Sequence, residues 1–174
     1  MQRRAIAVMG AALFVLATAA SAQEKPNFNG KWTVDAEKSA AANPGMGGSG
    51  GRGAGGGGGG RGMGGGMGMM GPVTLTLDGN SLTSERETQN GTQKIVYKLD
   101  GSAQQIQMGQ GSATAKARWE GNTIVIETTR DFNGNSFTTK AVYAIEDGNL
   151  VISTTVPGRD GGEPMVRKQF YKKG

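Results

Sequence analysis

The chain has 174 residues, a net charge of +5 and 32 glycines, and it contains neither cysteine nor histidine. The missing cysteine excludes disulfides, thiolate metal sites and cysteine nucleophiles. The missing histidine removes the commonest general base and the commonest transition-metal ligand. Ser-His-Asp hydrolases, Cys-His proteases and His-ligated zinc or copper enzymes are therefore excluded. The length fits a single domain.

Residues 1–22 have the three zones of a secretory signal peptide. Arg3 and Arg4 form a basic start, residues 5–20 are almost wholly apolar, and Ala-Ser-Ala at 20–22 is a cleavage pattern. The alternative, a membrane anchor, needs an apolar run of about 20 residues. We expect cleavage near Ala22, a periplasmic or secreted product, and no membrane span in the mature chain. Loss of the two arginines lowers the net charge from +5 to +3, which is too weak to indicate a nucleic-acid partner.

Residues 45–71 form a low-complexity insertion that holds 18 of the 32 glycines. Ordering glycine is entropically costly, and this segment has little apolar area to offset that cost, so it is predicted to be a disordered loop. The thioether side chains of its methionines suit a soft ion such as Cu(I). Binding of a soft metal ion through this loop is therefore one functional hypothesis. The methionines concerned are Met63, Met67, Met69 and Met70. The sequence predicts no other metal site and no cofactor.

The rest of residues 23–174 alternates apolar and polar side chains in short runs separated by Gly, Asn and Asp turns. Nine or ten strands are predicted, at 27–34, 73–77, 82–88, 93–99, 103–108, 113–119, 123–130, 136–145, 150–156 and 164–171. A helical turn at 35–39 is expected, capped by Asp35. Short connections force antiparallel neighbours, so the fold class is all-β. The predicted architecture is one meander of 8–10 strands closed into a barrel.

The alternation also predicts which side chains face inward. The apolar face must line the interior, because the opposite face carries lysine and arginine. Several inward positions are small or polar, and together with inward aromatic residues they predict a ligand cavity. The cavity residues are predicted to be Arg86, Tyr97, Trp119, Phe137 and Tyr143. The alternative is that small residues fill a tapering barrel and that strand 82–88 lies at an open edge.

Three motifs resemble those of small secreted bacterial proteins of lipocalin-like (calycin) type. They are Phe28-x-Gly30-x-Trp32, the turn Asp35-x-x-Lys38-Ser39, and residues 119–128. The resemblance implies a barrel whose bottom is closed by Trp32, with Gly30 allowing close backbone approach. It also implies a late-strand cation over Trp32. Arg167 is the best positional match for that cation, and Lys168 is the second choice.

The leading hypothesis is an exported, non-enzymatic protein that binds a small, partly apolar molecule. The alternative is a structural or protein-interaction module of the cell envelope with a packed core, and its protein partner is unknown. An interior cavity below about 300 Å³ favours that alternative. No catalytic residue is predicted, because the carboxylates Glu85, Glu87, Glu146 and Asp147 are expected to be solvated.

Overall fold

A computed structural model of the protein describes residues 25–44, 71–88, 91–109, 111–132, 134–158 and 162–174. The predicted signal peptide, and residues 45–70 of the insertion with its four candidate metal ligands, lie outside the described residues. Predictions about these two segments therefore stay predictions.

The described chain folds into ten strands and one short helix, which confirms the all-β class. Their bounds are β1 Gly30–Val34, α1 Ala36–Ala41, β2 Val73–Asp78, β3 Ser81–Thr88, β4 Gly91–Lys98, β5 Asp100–Met108, β6 Gly111–Glu120, β7 Thr123–Phe132, β8 Asn135–Glu146, β9 Asn149–Val156 and β10 Met165–Lys173. β1 begins later than predicted, at Gly30, whose φ of +133° is one that L side chains rarely adopt. Among the described residues, no helix is long and apolar enough to cross a membrane.

The strands form one antiparallel meander in a single sheet, in the order β4-β3-β2-β1-β10-β9-β8-β7-β6-β5. β1 pairs with both β2 and β10, so the first and last strands close the sheet into a nearly complete barrel. Closure removes most exposed edges, which is the physical advantage of this architecture. β4 and β5 are left at the two margins of the sheet.

The barrel has two unlike ends, which we name after an aromatic residue near each. The Trp32 end carries the turns 79–80, 121–122 and 147–148, where Gly79, Gly121 and Gly148 adopt positive φ. The junction of β4 and β5 at Leu99 also lies at this end, where the Leu99 N–H donates to the Asn80 carbonyl at 2.7 Å. At the opposite, Phe137 end, β7 ends and β8 begins. Each strand therefore runs between these two ends.

The apolar face lines the interior, as predicted. The buried core includes Phe28, Trp32, Leu75, Leu82, Tyr97, Ala115, Ala117, Ile124, Ile126, Leu150, Ile152 and Tyr171. Two outward-facing valines, Val125 and Val151, are also buried, which the alternation did not predict. Val125 lies directly opposite Arg118 in the β6–β7 ladder. Arg118 Nη1 lies 3.2 Å from Oε1 of Glu127, which is the next residue on the same face of β7. Val151 is directly opposite the half-buried Phe170.

Helix α1 continues the barrel wall where β1 ends. Asp35 caps the helix by accepting from the Lys38 backbone at 3.2 Å, as predicted. The Ser39 hydroxyl then accepts the Phe170 N–H at 2.9 Å. The Asn43 amide accepts the Lys168 N–H at 3.0 Å and donates to the Lys168 carbonyl at 2.7 Å. Side chains thus satisfy the edge of β10 that a longer β1 would have paired with.

Candidate ligand site in the barrel interior

The inward side chains change from apolar to polar along several strands, from the Trp32 end to the Phe137 end. The series are Leu82, Ser84 and Arg86 in β3; Tyr97, Ile95 and Gln93 in β4; Ile124, Ile126, Thr128 and Arg130 in β7; Leu150, Ile152 and Thr154 in β9; and Tyr171, Gln169 and Arg167 in β10. The interior is therefore amphipathic along the barrel axis. Ser84, Thr128 and Gln169 are buried despite their polarity.

Arg86 lies at the centre of this polar half. Its Nη1 donates to the Tyr171 hydroxyl at 3.4 Å and to the Gly71 carbonyl at 3.5 Å. Burial lowers the pKa of Arg86, but its interactions with the Tyr143 and Tyr171 hydroxyls outweigh that effect, and the net pKa shift is upward. The partly buried guanidinium is therefore charged at every physiological pH.

All three tyrosines of the chain are buried in the interior. Burial is the main cause that raises the pKa of both Tyr97 and Tyr143, although Arg86 acts in the opposite direction on each. Arg130 also opposes the shift at Tyr97, so two cations act on that hydroxyl. The hydroxyls of Tyr97 and Tyr143 therefore stay neutral and can donate hydrogen bonds at neutral pH.

A cavity of about 40 Å³ lies against these groups. Its walls are Ser84, Arg86, Gln93, Ile95, Tyr97, Met108 and Tyr143. The cavity brings together three of the five predicted residues, namely Arg86, Tyr97 and Tyr143. Its volume is far below the roughly 300 Å³ of an ordinary small-molecule pocket. It has room for one or two waters or for a group of similar size.

The other two predicted cavity residues lie elsewhere. Phe137 is on the inward face of β8, but it sits beside the end of the strand and is 49 % exposed. Trp119 packs against Phe28 with ring centroids 5.8 Å apart, and Lys25 Nζ lies 4.6 Å from its ring centre. Neither side chain is a wall of the 40 Å³ cavity. Alternation gave their direction, but it does not report position along the barrel axis.

The prediction of Arg167 over Trp32 is corrected by the structure. Lys173 Nζ lies 5.7 Å from the Trp32 ring centre, because Lys173 is directly opposite Trp32 in the ladder. Arg167 lies six residues before Lys173 in β10, where it pairs with Thr154 of β9. At about 3.3 Å per residue, that is roughly 20 Å from the tryptophan. Lys168, the second choice, is displaced for the same reason.

The predicted cavity residues did not include five members of the site: Ser84, Gln93, Ile95, Met108 and Tyr171. Ser84 and Gln93 share the inward phase of Arg86 and Tyr97, so alternation signals their direction. Tyr171 reaches Arg86 only through the pairing of β10 with β1, which no local pattern reveals. Met108 ends β5, and its sulfur lies 3.0 Å from Arg130 Nη2.

The seven residues that form the walls of the 40 Å³ cavity include no carboxylate. Glu85 pairs with Lys94 at 2.8 Å on the outer face, and Glu120 and Glu127 pair with Arg118. Among the described residues, no group of three or more His, Cys, Asp or Glu side chains is placed to hold a metal ion. A wider hollow of about 420 Å³ lies beside Glu127, Lys140 and Thr155, which point away from the interior.

No protein-family model matches the sequence, and no curated protein matches it. Among solved structures, the chain is similar to the zebrafish ileal bile acid-binding protein complexed with cholic acid. The TM-score is 0.53 at 16 % identity, over 84 % of this chain and 98 % of that one. The REP1-NXSQ fatty acid transporter (TM-score 0.47, 16 % identity, 59 % of this chain and 69 % of that one) and the wild-type fluorescent protein UnaG (0.43, 19 %, 59 % and 72 %) match more weakly.

The likeness to the bile acid-binding protein is one of fold, since the identity is low. Together with the ten-stranded meander, it shows that the fold is a nearly closed antiparallel β-barrel like that of the bile acid-binding protein.

Proposed function

We propose that this protein is an exported, non-enzymatic barrel that binds a small, partly apolar molecule bearing a hydrogen-bond-accepting or anionic group. The observation that carries the proposal is Arg86, a permanent cation held inside a barrel and faced by tyrosine hydroxyls. Charge-assisted hydrogen bonds to such a cation are stronger than neutral ones. An acid group is therefore the ligand feature that this interior favours.

The cavity size determines how the ligand would sit. A volume of about 40 Å³ accepts a carboxylate-sized group, but not the body of a lipid or sterol. The body would then extend toward the Phe137 end, where Phe137, Val156 and Met165 are 38–54 % exposed. Apolar contact there would remove hydrophobic area from water. The amphipathic series along the strands supports this orientation.

Two sequence features support the rest of the proposal. The signal-peptide pattern of residues 1–22 supports export, and N-terminal sequencing of the secreted or periplasmic protein would test it, with a start at residue 23 expected. The lack of histidine and cysteine supports a non-enzymatic role. The cholic acid named for the bile acid-binding neighbour supplies one test ligand, cholate. Dodecanoate supplies a simple acid with an apolar body, and dodecanol is its uncharged match.

Calorimetric titration with dodecanoate, cholate and dodecanol tests the proposal. We expect the wild type to prefer dodecanoate over dodecanol by about tenfold or more, because only the acid pairs with Arg86. Arg86→Met keeps the length of the side chain and removes its charge, so this preference should vanish. Arg167→Met removes a cation that is not a wall of the cavity and should leave the preference intact. If the wild type and Arg86→Met prefer dodecanoate over dodecanol to the same extent, the role of Arg86 is refuted.

The second candidate function is a packed module for structure or protein interaction, and the 40 Å³ volume favours it. In that case the Arg86 and tyrosine cluster is a polar core network that helps to specify the fold. The same titrations separate the two candidates. If none of the three ligands binds, while Arg86→Met lowers the unfolding midpoint, the packed module is supported and the binding proposal is contradicted.

A further inference from the structure

β4 and β5 are consecutive in the chain but are not paired in the ladder. They meet at Leu99 and then occupy opposite margins of the sheet. The start of β5 is kinked, because Asp100 Oδ1 accepts from the Ser102 backbone at 2.8 Å and from its hydroxyl at 2.6 Å. Gly101 takes a φ of +79°, and the register against β6 shifts between Asp100 and Ala103. This kink directs β5 away from β4 and leaves a seam in the barrel wall.

The Gln104 side chain bridges this seam with two hydrogen bonds to the backbone of β4. Gln104 Oε1 accepts the Lys98 N–H at 3.1 Å, and Gln104 Nε2 donates to the Val96 carbonyl at 2.8 Å. These two backbone groups are the ones that an adjacent strand would otherwise pair with. The Gln104 amide therefore substitutes for a piece of strand, as Asn43 does against β10.

The 40 Å³ cavity lies directly behind the seam. Four of its seven wall residues belong to the seam strands, namely Gln93, Ile95 and Tyr97 from β4 and Met108 from β5. Parting β4 from β5 at Gln104 breaks two hydrogen bonds. Parting β7 from β8 would break a ladder over nine paired positions. The seam is therefore a far less costly place to open the wall next to Arg86.

We propose that Gln104 is a latch on this seam, and that small ligands reach Arg86 between β4 and β5 when the latch opens. The inference rests on the proposed binding function, which it extends by naming the route. Gln104 is a positioning residue, because it bonds to the backbone of β4 and is not a wall of the cavity. Removing it should ease opening equally for the free and the ligand-bound barrel.

Stopped-flow binding of the fluorescent apolar anion 1-anilinonaphthalene-8-sulfonate tests the route. Gln104→Met keeps the side-chain length and removes both hydrogen bonds. We expect association and dissociation rates to rise together, by about tenfold for two lost bonds, while Kd stays within about twofold. The matched control is Gln105→Met, since the Gln105 amide bonds to Thr114 Oγ1 at 3.0 Å, on the side away from the seam. This control should behave as the wild type.

Two results would overturn the latch. The first is unchanged rates in Gln104→Met, and the second is a weakened Kd with an unchanged association rate, which would make Gln104 part of the binding surface. If Gln104→Met does not fold, Gln104→Glu replaces it. A protonated carboxyl can make both bonds, whereas the carboxylate cannot donate to Val96. Its rates should therefore rise with pH across the carboxyl titration and stay flat in the wild type.

Hydrogen exchange separates failure of the latch from failure of the proposed function. If no variant binds the fluorescent anion, the binding function is contradicted, but the seam can still be measured. The latch predicts that the Lys98 amide exchanges faster than the central amides of β7 in the wild type, and faster still in Gln104→Met. Equal protection of Lys98 in both proteins would overturn it.

Discussion

Inward-facing side chains are buried near one end of the barrel and exposed at the other. Near the Trp32 end, Phe28, Trp32 and Leu82 are at most 1 % exposed. At the Phe137 end, Phe137 is 49 % exposed and Met165 is 54 % exposed. The difference teaches that strand alternation sets the direction of a side chain, whereas its depth is set by what covers that end of the barrel. Stability should therefore be concentrated at the Trp32 end.

The strongest test of this contrast is Trp32→Ala. Trp32 is 1 % exposed, and its indole Nε1 donates to the Phe28 carbonyl at 2.9 Å. Its truncation leaves a large cavity and an orphaned carbonyl, so we expect a loss of about 3–5 kcal/mol in the free energy of unfolding. Urea denaturation followed by circular dichroism measures this loss. Trp32→Phe keeps an aromatic ring and should lose less. A loss below about 1 kcal/mol for Trp32→Ala would contradict a sealed end.

A smaller effect on stability is expected where polar contacts join helix α1 to the barrel wall. Lys172 Nζ lies 3.0 Å from Asp35 Oδ2, and this contact, followed by the Lys38 backbone N–H, lowers the pKa of Asp35. A carboxyl with a lowered folded-state pKa adds stability above its unfolded pKa of about 3.9, and this stability is lost as the pH falls through the folded value. Asp35→Asn retains the cap and removes the charge.

We therefore expect Asp35→Asn to be less stable than the wild type at pH 7, with the difference shrinking below about pH 4. Urea midpoints measured from pH 7 to pH 2 follow this change. Glu37→Gln, in the first turn of the same helix, is the control and should show no comparable difference. A gap between wild type and Asp35→Asn that persists unchanged at pH 2 would exclude the ion pair as its origin.

The smallest effect is expected at the Phe137 end. Phe137→Ser removes a large ring that is already half exposed, so the free energy of unfolding should change by no more than about 0.5 kcal/mol. The same variant should weaken dodecanoate binding if the apolar body of the ligand rests there. A loss of stability comparable to that of Trp32→Ala would show that this end is also sealed in solution.

Most of the fold follows from local sequence signals. Two-residue alternation located the strands and their inward faces, and Asn-Gly, Asp-Gly and Gly-Asn pairs located many of the turns. The cap at Asp35 was also predictable, because it depends on residues three apart. These features are local and repeat along the chain, so they need no knowledge of distant contacts.

The candidate site was only partly predictable. The phase of Arg86, Tyr97 and Tyr143 gave their direction, and the structure brings these three together. Lys173 replaced Arg167 over Trp32 because the β1–β10 register is fixed by closure of the whole barrel. The seam bridge of Gln104 was not predictable, because it depends on a kink that separates two consecutive strands.

The sequence by itself determined an all-β meander with an apolar lining, since side-chain direction in a strand depends only on the parity of position. Tertiary structure alone decided which end is sealed, how little room remains beside Arg86, and which side chains complete the wall. Those properties depend on strand register and closure, which join residues far apart in the chain and are fixed only when the whole sheet has formed.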